Sequence, residues 1–169
     1  ERRDFDILDL LSHLVDKSLV IVNESKIGTR YHMLETTRQY AQEKLFDAEE
    51  GESLRQRHLD WFLALAERAE PHLTRGACDL DWVNRIESEH DNMRTALVWS
   101  QATHEFEIGA RIAFALTGFW EVRGYLQEGR KWLESGLAQR EFLSKTILAQ
   151  TLYITRRFAS KLGDYPTAE

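Results

Sequence analysis

The chain has 169 residues and a formal net charge of −6, and 43% of its side chains are hydrophobic. This composition supplies a packed core and excludes a disordered chain. Cys78 is the only cysteine, which excludes an internal disulfide and fits a reducing cytosol. The single cysteine leads us to expect a cytoplasmic location. No run approaches about 18 apolar residues, so we expect no transmembrane helix. The chain starts at Glu1, without a methionine or signal-like segment, and we expect it to be an internal piece of a longer protein.

The first third of the chain predicts two helices around a β-hairpin. Apolar residues at helical spacing predict a helix over 5–17 and another over 34–46. Between them, 19–22 and 30–33 read as two strands, and the polar stretch 23–28 reads as a loop of about five or six residues. Helix, hairpin and helix is the order of the second half of a winged-helix fold. Residues 1–47 are therefore predicted to be a partial winged-helix domain.

The rest of the chain, 48–169, predicts a purely helical domain after a polar linker at 47–52. Ser53 is a candidate N-cap of the first helix, and Pro71 is expected to end that helix. A break is expected in the second helical region near 89–92, where Asp91 or Asn92 would cap the following helix. The predicted helices span 53–70, 80–102, 105–123, 126–139 and 142–162.

Two glycines indicate a repeat within this helical domain. Gly124 and Gly163 lie 39 residues apart (163 minus 124), and each is followed by a tyrosine, Tyr125 or Tyr165, within two positions. This pattern is typical of paired helices somewhat longer than the ~34 residues of a tetratricopeptide unit. The predicted fold class is mainly α: a truncated winged helix followed by tetratricopeptide-like superhelical repeats, the second cut off at Glu169.

No residue pattern indicates catalysis, a bound metal or a cofactor. His90 lies beside acidic residues but in phase with the apolar residues of its helix, so a hydrogen-bonded, half-buried histidine is favoured over a metal ligand. His58 lies on an apolar stripe, and Cys78 has no recognisable catalytic signature. We therefore expect a protein that is not an enzyme and has no cofactor.

Charge argues against direct contact with nucleic acid. The helix before a wing normally reads DNA and carries Arg and Lys, but residues 4–16 contain four aspartates and neither Lys nor Arg. The wing adds only Lys26 and Arg30. A winged helix that packs against protein is favoured over one that binds DNA.

The helical domain offers two further groups of candidate residues. Its aromatic side chains are expected to fill seams between helices rather than to line a ligand groove. They are Trp61, Phe62, Trp82, Trp99, Phe119, Trp120, Tyr125 and Trp132. Residues 123–161 carry 8 basic and 3 acidic side chains, and a concave repeat surface suits protein partners. The basic candidates for partner binding are Arg123, Arg130, Lys131, Arg156 and Arg157.

Three stretches resemble a known family. They are LLSHLVDKSLV at 10–20, YHMLETTRQYA at 31–41 and ESEHDNMRTAL at 87–97. Together they look like the arm of bacterial STAND-type signal-transduction NTPases, which are related to AfsR- and LuxR-type transcriptional regulators. The resemblance covers roughly 7–139 and implies an NTPase module, a winged helix and a helical-repeat sensor, in that order.

The resemblance also implies a nucleotide-sensing position. Relatives carry a Met-His-Asp-like triplet at the start of the last winged-helix helix, and its His touches the nucleotide. Here the triplet is Met33, Leu34 and Glu35, so the His position holds Leu34. No P-loop of the form G-x-x-x-x-G-K-[ST] occurs in the chain, so it is not expected to hydrolyse nucleotide by itself.

These expectations predict a non-catalytic regulatory module of a larger signalling ATPase or transcriptional regulator. It would couple an NTPase switch to a repeat sensor that binds a protein partner or a small-molecule inducer, with no membrane contact. A stand-alone tetratricopeptide-type adaptor is the alternative. A winged-helix regulator that binds DNA directly is a third.

Overall fold

The computed structural model describes residues 2–25, 28–74 and 79–163, and within these the chain is mainly helical, as predicted. It forms two compact units, Glu1–Leu54 and Arg55–Glu169, which we call the N-terminal and C-terminal units. In chain order the elements are α1 (Arg2–Asp16), β1 (Ile21–Ser25), β2 (Gly28–His32), α2 (Glu35–Asp47), α3 (Gly51–Thr74), α4 (Leu80–Ser88), α5 (His90–Ala102), α6 (Phe106–Ala115), α7 (Thr117–Arg123), α8 (Leu126–Ala138) and α9 (Lys145–Lys161).

The hairpin of the N-terminal unit is tighter than predicted. β1 and β2 pair antiparallel from Ile21 opposite His32 to Ser25 opposite Gly28. Only residues 26 and 27 lie between the strands, so the predicted loop of five or six residues was wrong. Polar residues continue the strand because pairing satisfies their backbone groups whatever the side chain.

Little apolar surface is buried in the described part of the N-terminal unit. Val20 is its one buried apolar residue, and no residue of α2 is buried. Phe46 is 83% exposed. Ion pairs between Glu35 and Arg38 and between Lys44 and Asp47 support α2 from its own surface, and such pairs contribute only a few tenths of a kcal/mol (~0.2–0.5) each.

Helix α3 differs from its prediction at both ends. It starts at Gly51, so the linker shrinks to residues 48–50, and the Ser53 hydroxyl donates to the carbonyl of Glu50 rather than capping the helix. It continues through Pro71 to Thr74. Proline suits helical φ and here removes one hydrogen bond close to the helix end. The burial of Leu73 against Gly118 offsets that loss.

The break predicted near 89–92 is present, because α4 ends at Ser88 and α5 begins at His90. The predicted cap was wrong: Asp91 and Asn92 lie inside α5. Asn92 donates instead to the Glu89 carboxylate at 2.7 Å. Asp79, which was not predicted as a cap, accepts a hydrogen bond from the backbone of Asp81 at 3.0 Å.

Two later helices also begin or divide differently. The predicted helix 105–123 is divided at Leu116, where the Thr117 hydroxyl donates to the carbonyl of Phe114. The last helix starts at Lys145 rather than at 142, because Ser144 caps it and residues Arg140–Phe142 form a 3-10 turn. Side-chain hydroxyls that bond the backbone compete with helix continuation, and apolar periodicity does not reveal them.

The core lies in the C-terminal unit, where α6 packs on α5, α8 and α9, and α8 packs on α7 and α9. Most of the predicted aromatic residues are buried or half-buried in this core. Trp61 is 61% exposed, so its assignment to the core was wrong. The buried face of α3 runs through Phe62 and Leu65 instead, and Trp61 is rotated away from it. None of the described helices is both long and apolar enough to cross a membrane.

Candidate functional site

The third family-like stretch, 87–97, carries a polar cluster at the junction of α4 and α5. The cluster joins this junction to the turn between α7 and α8. Its members are Glu87, His90, Arg94, Arg123, Tyr125 and Glu128, and we call it the junction cluster. It forms because α4 and α5 break at Glu89, which directs polar side chains from both helix ends toward the same neighbours.

His90 is buried at the centre of the junction cluster. Its ring stacks on Tyr125 with centroids 5.0 Å apart and meets Phe119 edge-on at 4.9 Å. Nε2 lies 3.2 Å from Glu128 Oε1, although the direction is poor for a hydrogen bond. Burial lowers the pKa of His90 below its ordinary value of 6.5, and Glu128 opposes this only in part. The imidazole is therefore neutral at neutral pH, and it is buried more deeply than the sequence predicted.

Arg94 and Glu128 make the strongest contact of the junction cluster. Arg94 donates through Nε and Nη2 to the two carboxylate oxygens, at 2.8 and 2.6 Å. Its Nη1 also donates to Asp91 at 2.8 Å. The hydrogen bond from Arg94 lowers the pKa of Glu128 and raises the pKa of Arg94. A two-pronged geometry of this kind fixes orientation as well as distance, so it sets how α5 meets α8.

Glu87 holds the two side chains that flank Gly124. The Tyr125 hydroxyl donates to Glu87 Oε1 at 2.9 Å, and this bond raises the pKa of Tyr125. Arg123 Nε lies 3.0 Å from Glu87 Oε2, and Arg123 Nη2 donates to Asn84 at 2.6 Å. Gly124 is in the left-handed conformation with φ 79°, which a glycine adopts without strain. The last turn of α4 thus fixes the α7–α8 turn.

Ion pairs join other neighbouring helices in the same way. Glu121 of α7 pairs with Arg157 at 2.6 Å and with Lys161 at 3.0 Å, both on α9. Glu67 of α3 accepts from Arg111 of α6. Glu121 precedes Arg157 by the same number of residues as Glu87 precedes Arg123. Sequence reasoning missed all of these pairs. The shared spacing is a signal that would have revealed only the Glu87–Arg123 and Glu121–Arg157 pairs.

His58 and Cys78 are the remaining metal-binding and catalytic candidates from the sequence. Within 2–25, 28–74 and 79–163, no group of three or more His, Cys, Asp or Glu side chains is placed to hold a metal ion. His58 packs its ring on Phe62 at 4.5 Å, and burial lowers its pKa. Cys78, the one candidate nucleophile weighed in the sequence, lies outside the described residues.

The nucleotide-sensing position predicted by resemblance lies at the start of α2. Leu34 occupies the N-cap position, is 55% exposed and makes no side-chain cap bond. Glu35 accepts hydrogen bonds from Arg38 and Gln39 of its own helix. Met33 is also exposed. The three residues are exposed at the N-terminal end of α2, and their role in nucleotide sensing stays a prediction.

The five basic residues predicted to bind a partner do not act alike. Arg123 and Arg157 form the contacts with Glu87 and Glu121 described above. Arg130 pairs with Glu134 one turn along α8. Lys131 and Arg156 are exposed, and neither makes an ion pair with any residue that the structure describes.

A cleft of about 300 Å³ opens where α3, α6 and α9 meet. Its walls combine two carboxylates, one guanidinium and an apolar floor. The lining residues are Glu67, Glu70, Arg111, Phe114, Ala115, Ile147 and Gln150. Its volume is at the lower end of the range for small-molecule sites.

Comparison with known proteins finds similarity to transcriptional regulators. The chain is 38% identical over 138 residues to proteins named "Putative HTH-type transcriptional regulator", from Mycobacterium tuberculosis and Mycobacterium bovis. The match covers 82% of this chain but only 15% of each relative, so the chain spans a small part of their length. No family model matches the chain. No solved structure matches it either.

Proposed function

We propose that this chain is a non-catalytic regulatory module of a larger HTH-type transcriptional regulator of the STAND NTPase class. In this proposal it couples an NTPase switch to a helical-repeat sensor. The observation that carries the regulatory role is the similarity of 138 residues to curated transcriptional regulators. The NTPase and the sensor come from the family resemblance of the three sequence stretches. The same comparisons do not favour a stand-alone adaptor.

The N-terminal unit supports a role in packing rather than in reading DNA. Its order of helix, hairpin and helix fits the second half of a winged helix. Asp9 and Asp16 are exposed on α1, a helix that has neither Lys nor Arg after Arg3. Such a surface repels phosphates. Its exposed apolar side chains, including Leu10, Tyr40 and Phe46, suit contact with protein.

The C-terminal unit supports a role as a sensor whose helices move together. The junction cluster and the Glu121 and Glu67 pairs join helices that are distant in sequence. A partner or inducer that binds one helix pair would therefore bias the packing of the next, provided that it prefers one packing over the other. The cleft between α3, α6 and α9 is the proposed place for such a ligand. Lys131 is proposed to meet acidic groups of a protein partner, and Arg156 to meet acidic groups of the polypeptide that covers its face of α9. Arg123, Arg130 and Arg157 are already paired with carboxylates of the chain.

A reporter assay in the complete regulator tests this role. The variant Glu87→Gln with Glu121→Gln weakens two helix-to-helix contacts without adding bulk, and a matched control, Glu105→Gln, changes an exposed carboxylate. We expect the double variant to change the transcriptional response while affinity for operator DNA stays unchanged. An unaltered response, or a response lost together with operator affinity, would contradict the proposal.

A further inference from the structure

Helix α9 and the α6–α7 pair are two copies of one repeat, and each residue of α9 corresponds to the residue 39 positions earlier in the chain. Gly124 and Gly163 follow them and share φ 79°. Phe119 and Phe158, each five residues before its glycine, are both fully buried. Four more pairs at the same offset are buried in both copies: Ile112 and Thr151, Ala115 and Ile154, Leu116 and Thr155, Trp120 and Ala159.

One stripe breaks this equivalence. In the first copy, Ala110, Ala113 and Thr117 are buried and Phe114 is half-buried. The residues at the same offset in α9 are exposed: Ala149, Leu152, Tyr153 and Arg156. Leu152 is 52% exposed and Tyr153 is 65% exposed, whereas Ala113 is 1% exposed. Leu152, Tyr153 and Arg156 lie three, four and seven residues after Ala149, which places the stripe on a single helix face.

The following helix pair, α8 and α9, covers the stripe in the first copy. A Cβ added at Gly136 of α8 would lie 3.6 Å from the Cβ of Ala110, so the two helices are in ordinary contact there. Leu143, between α8 and α9, is buried in one cluster with Ala110. Phe114 shares the walls of the cleft with Ile147 of α9.

We infer that the stripe of Ala149, Leu152, Tyr153 and Arg156 is the docking surface for a further helix pair of the same polypeptide, which starts directly after Gly163. The curated relatives are far longer than the part this chain matches, so more polypeptide is available in proteins of this kind. This inference goes beyond the proposed function, because it concerns the surface and its occupant and stands whether or not the regulator carries an NTPase.

The residue types after Gly163 support the identity of the occupant. Residues 164–169 lie outside the described part of the chain, but their sequence, DYPTAE, has the signals of a helix start. Asp164 comes 39 residues after Tyr125, the N-cap residue of α8, and aspartate is a favoured N-cap. Pro166 follows two residues later in the sequence, and proline is tolerated in the first turn of a helix. Ala168 comes 39 residues after Gly129, which packs closely against Trp120. The residue that comes 39 positions after Trp120 is the smaller Ala159. A larger residue opposite a smaller one preserves the fit.

Hydroxyl-radical footprinting at Leu152 and Tyr153 tests the inference on three lengths of the protein. These are the chain ending at Glu169, a chain about 40 residues longer taken from its own gene, which adds one repeat, and the complete polypeptide. We expect oxidation of both residues to fall several-fold in the second length and to stay low in the third. Trp61, an exposed aromatic of α3, is the matched internal control for the first two lengths.

Each other outcome overturns the inference. Equal oxidation in all three lengths means that the stripe faces solvent. A fall only in the complete polypeptide assigns the surface to a more distant segment. If the stripe is protected in the shortest chain and this protection grows with protein concentration, the surface binds a second copy of the chain. As an independent check, Leu152→Ser with Tyr153→Ser should lower the Tm of the second length and leave that of the first unchanged, and equal effects in both would contradict the inference.

Discussion

Replacing Gly129 with alanine tests the packing of α8 against its two neighbours. A Cβ at this position would lie 2.5 Å from Trp120 Cε3 and 2.7 Å from Phe158 Cε2, and both rings are fully buried. Gly136 is the matched control in the same helix, because the nearest atom to its added Cβ is 3.6 Å away. Both substitutions gain about 0.8–1.0 kcal/mol of helix propensity, so the difference between them isolates the packing cost.

Overpacking of a closed core costs about 1–3 kcal/mol. We therefore expect Gly136→Ala to stabilise the C-terminal unit and Gly129→Ala to be less stable than Gly136→Ala by about 1–3 kcal/mol. All 5 tryptophans lie in this unit, so tryptophan fluorescence during urea unfolding reports on it alone. Equal stability of the two variants would refute the close approach of α8 to Trp120 and Phe158.

Three further predictions concern the core and the junction cluster. Phe62→Ala should cost about 3–5 kcal/mol of unfolding free energy while Trp61→Ala, next to it, costs less than about 0.5, and urea midpoints that move equally would contradict the assigned helix face. A double-mutant cycle with Arg94→Met and Glu128→Gln should give a coupling of about 0.5–1 kcal/mol, since Arg94 is partly exposed, and a coupling of zero would remove the pair as a determinant of packing. Burial lowers the pKa of His90, so the folded state binds fewer protons than the unfolded state, and its stabilising contribution is complete above the unfolded value of 6.5. Relative to His90→Gln, the wild type should lose stability as the pH falls from about 7 to 5, and a constant difference across that range would show that His90 titrates as it does in the unfolded chain.

Apolar periodicity was enough to place most of the helices. The break between α4 and α5 and the punctuation at Gly124 and Gly163 followed from local residue types, because backbone preferences act over a few residues. Pro71 and Trp61 were misjudged for the opposite reason. The packing of Leu73 keeps α3 helical through Pro71. The burial of Phe62 sets the helix face that meets the core and leaves the neighbouring Trp61 exposed.

The candidate site was only half visible in the sequence. His90 was noticed because a polar residue stands in phase with apolar ones. Its partner Glu128 lies on α8, and Arg94, which orients Glu128, lies on α5. These two residues are 34 positions apart in the chain, and no local sequence pattern connects them. The basic residues were grouped by proximity in sequence, whereas the structure pairs Arg123 and Arg157 with different helices.

The measurement that most directly tests the central claim compares the isolated chain with the complete regulator on operator DNA. We predict that the isolated chain does not bind duplex DNA at low salt. We also predict that a regulator lacking residues 1–169 retains operator binding and loses its response to the inducing condition. Tight, salt-sensitive binding by the isolated chain, together with loss of operator binding on its removal, would contradict the account and make this chain the DNA reader.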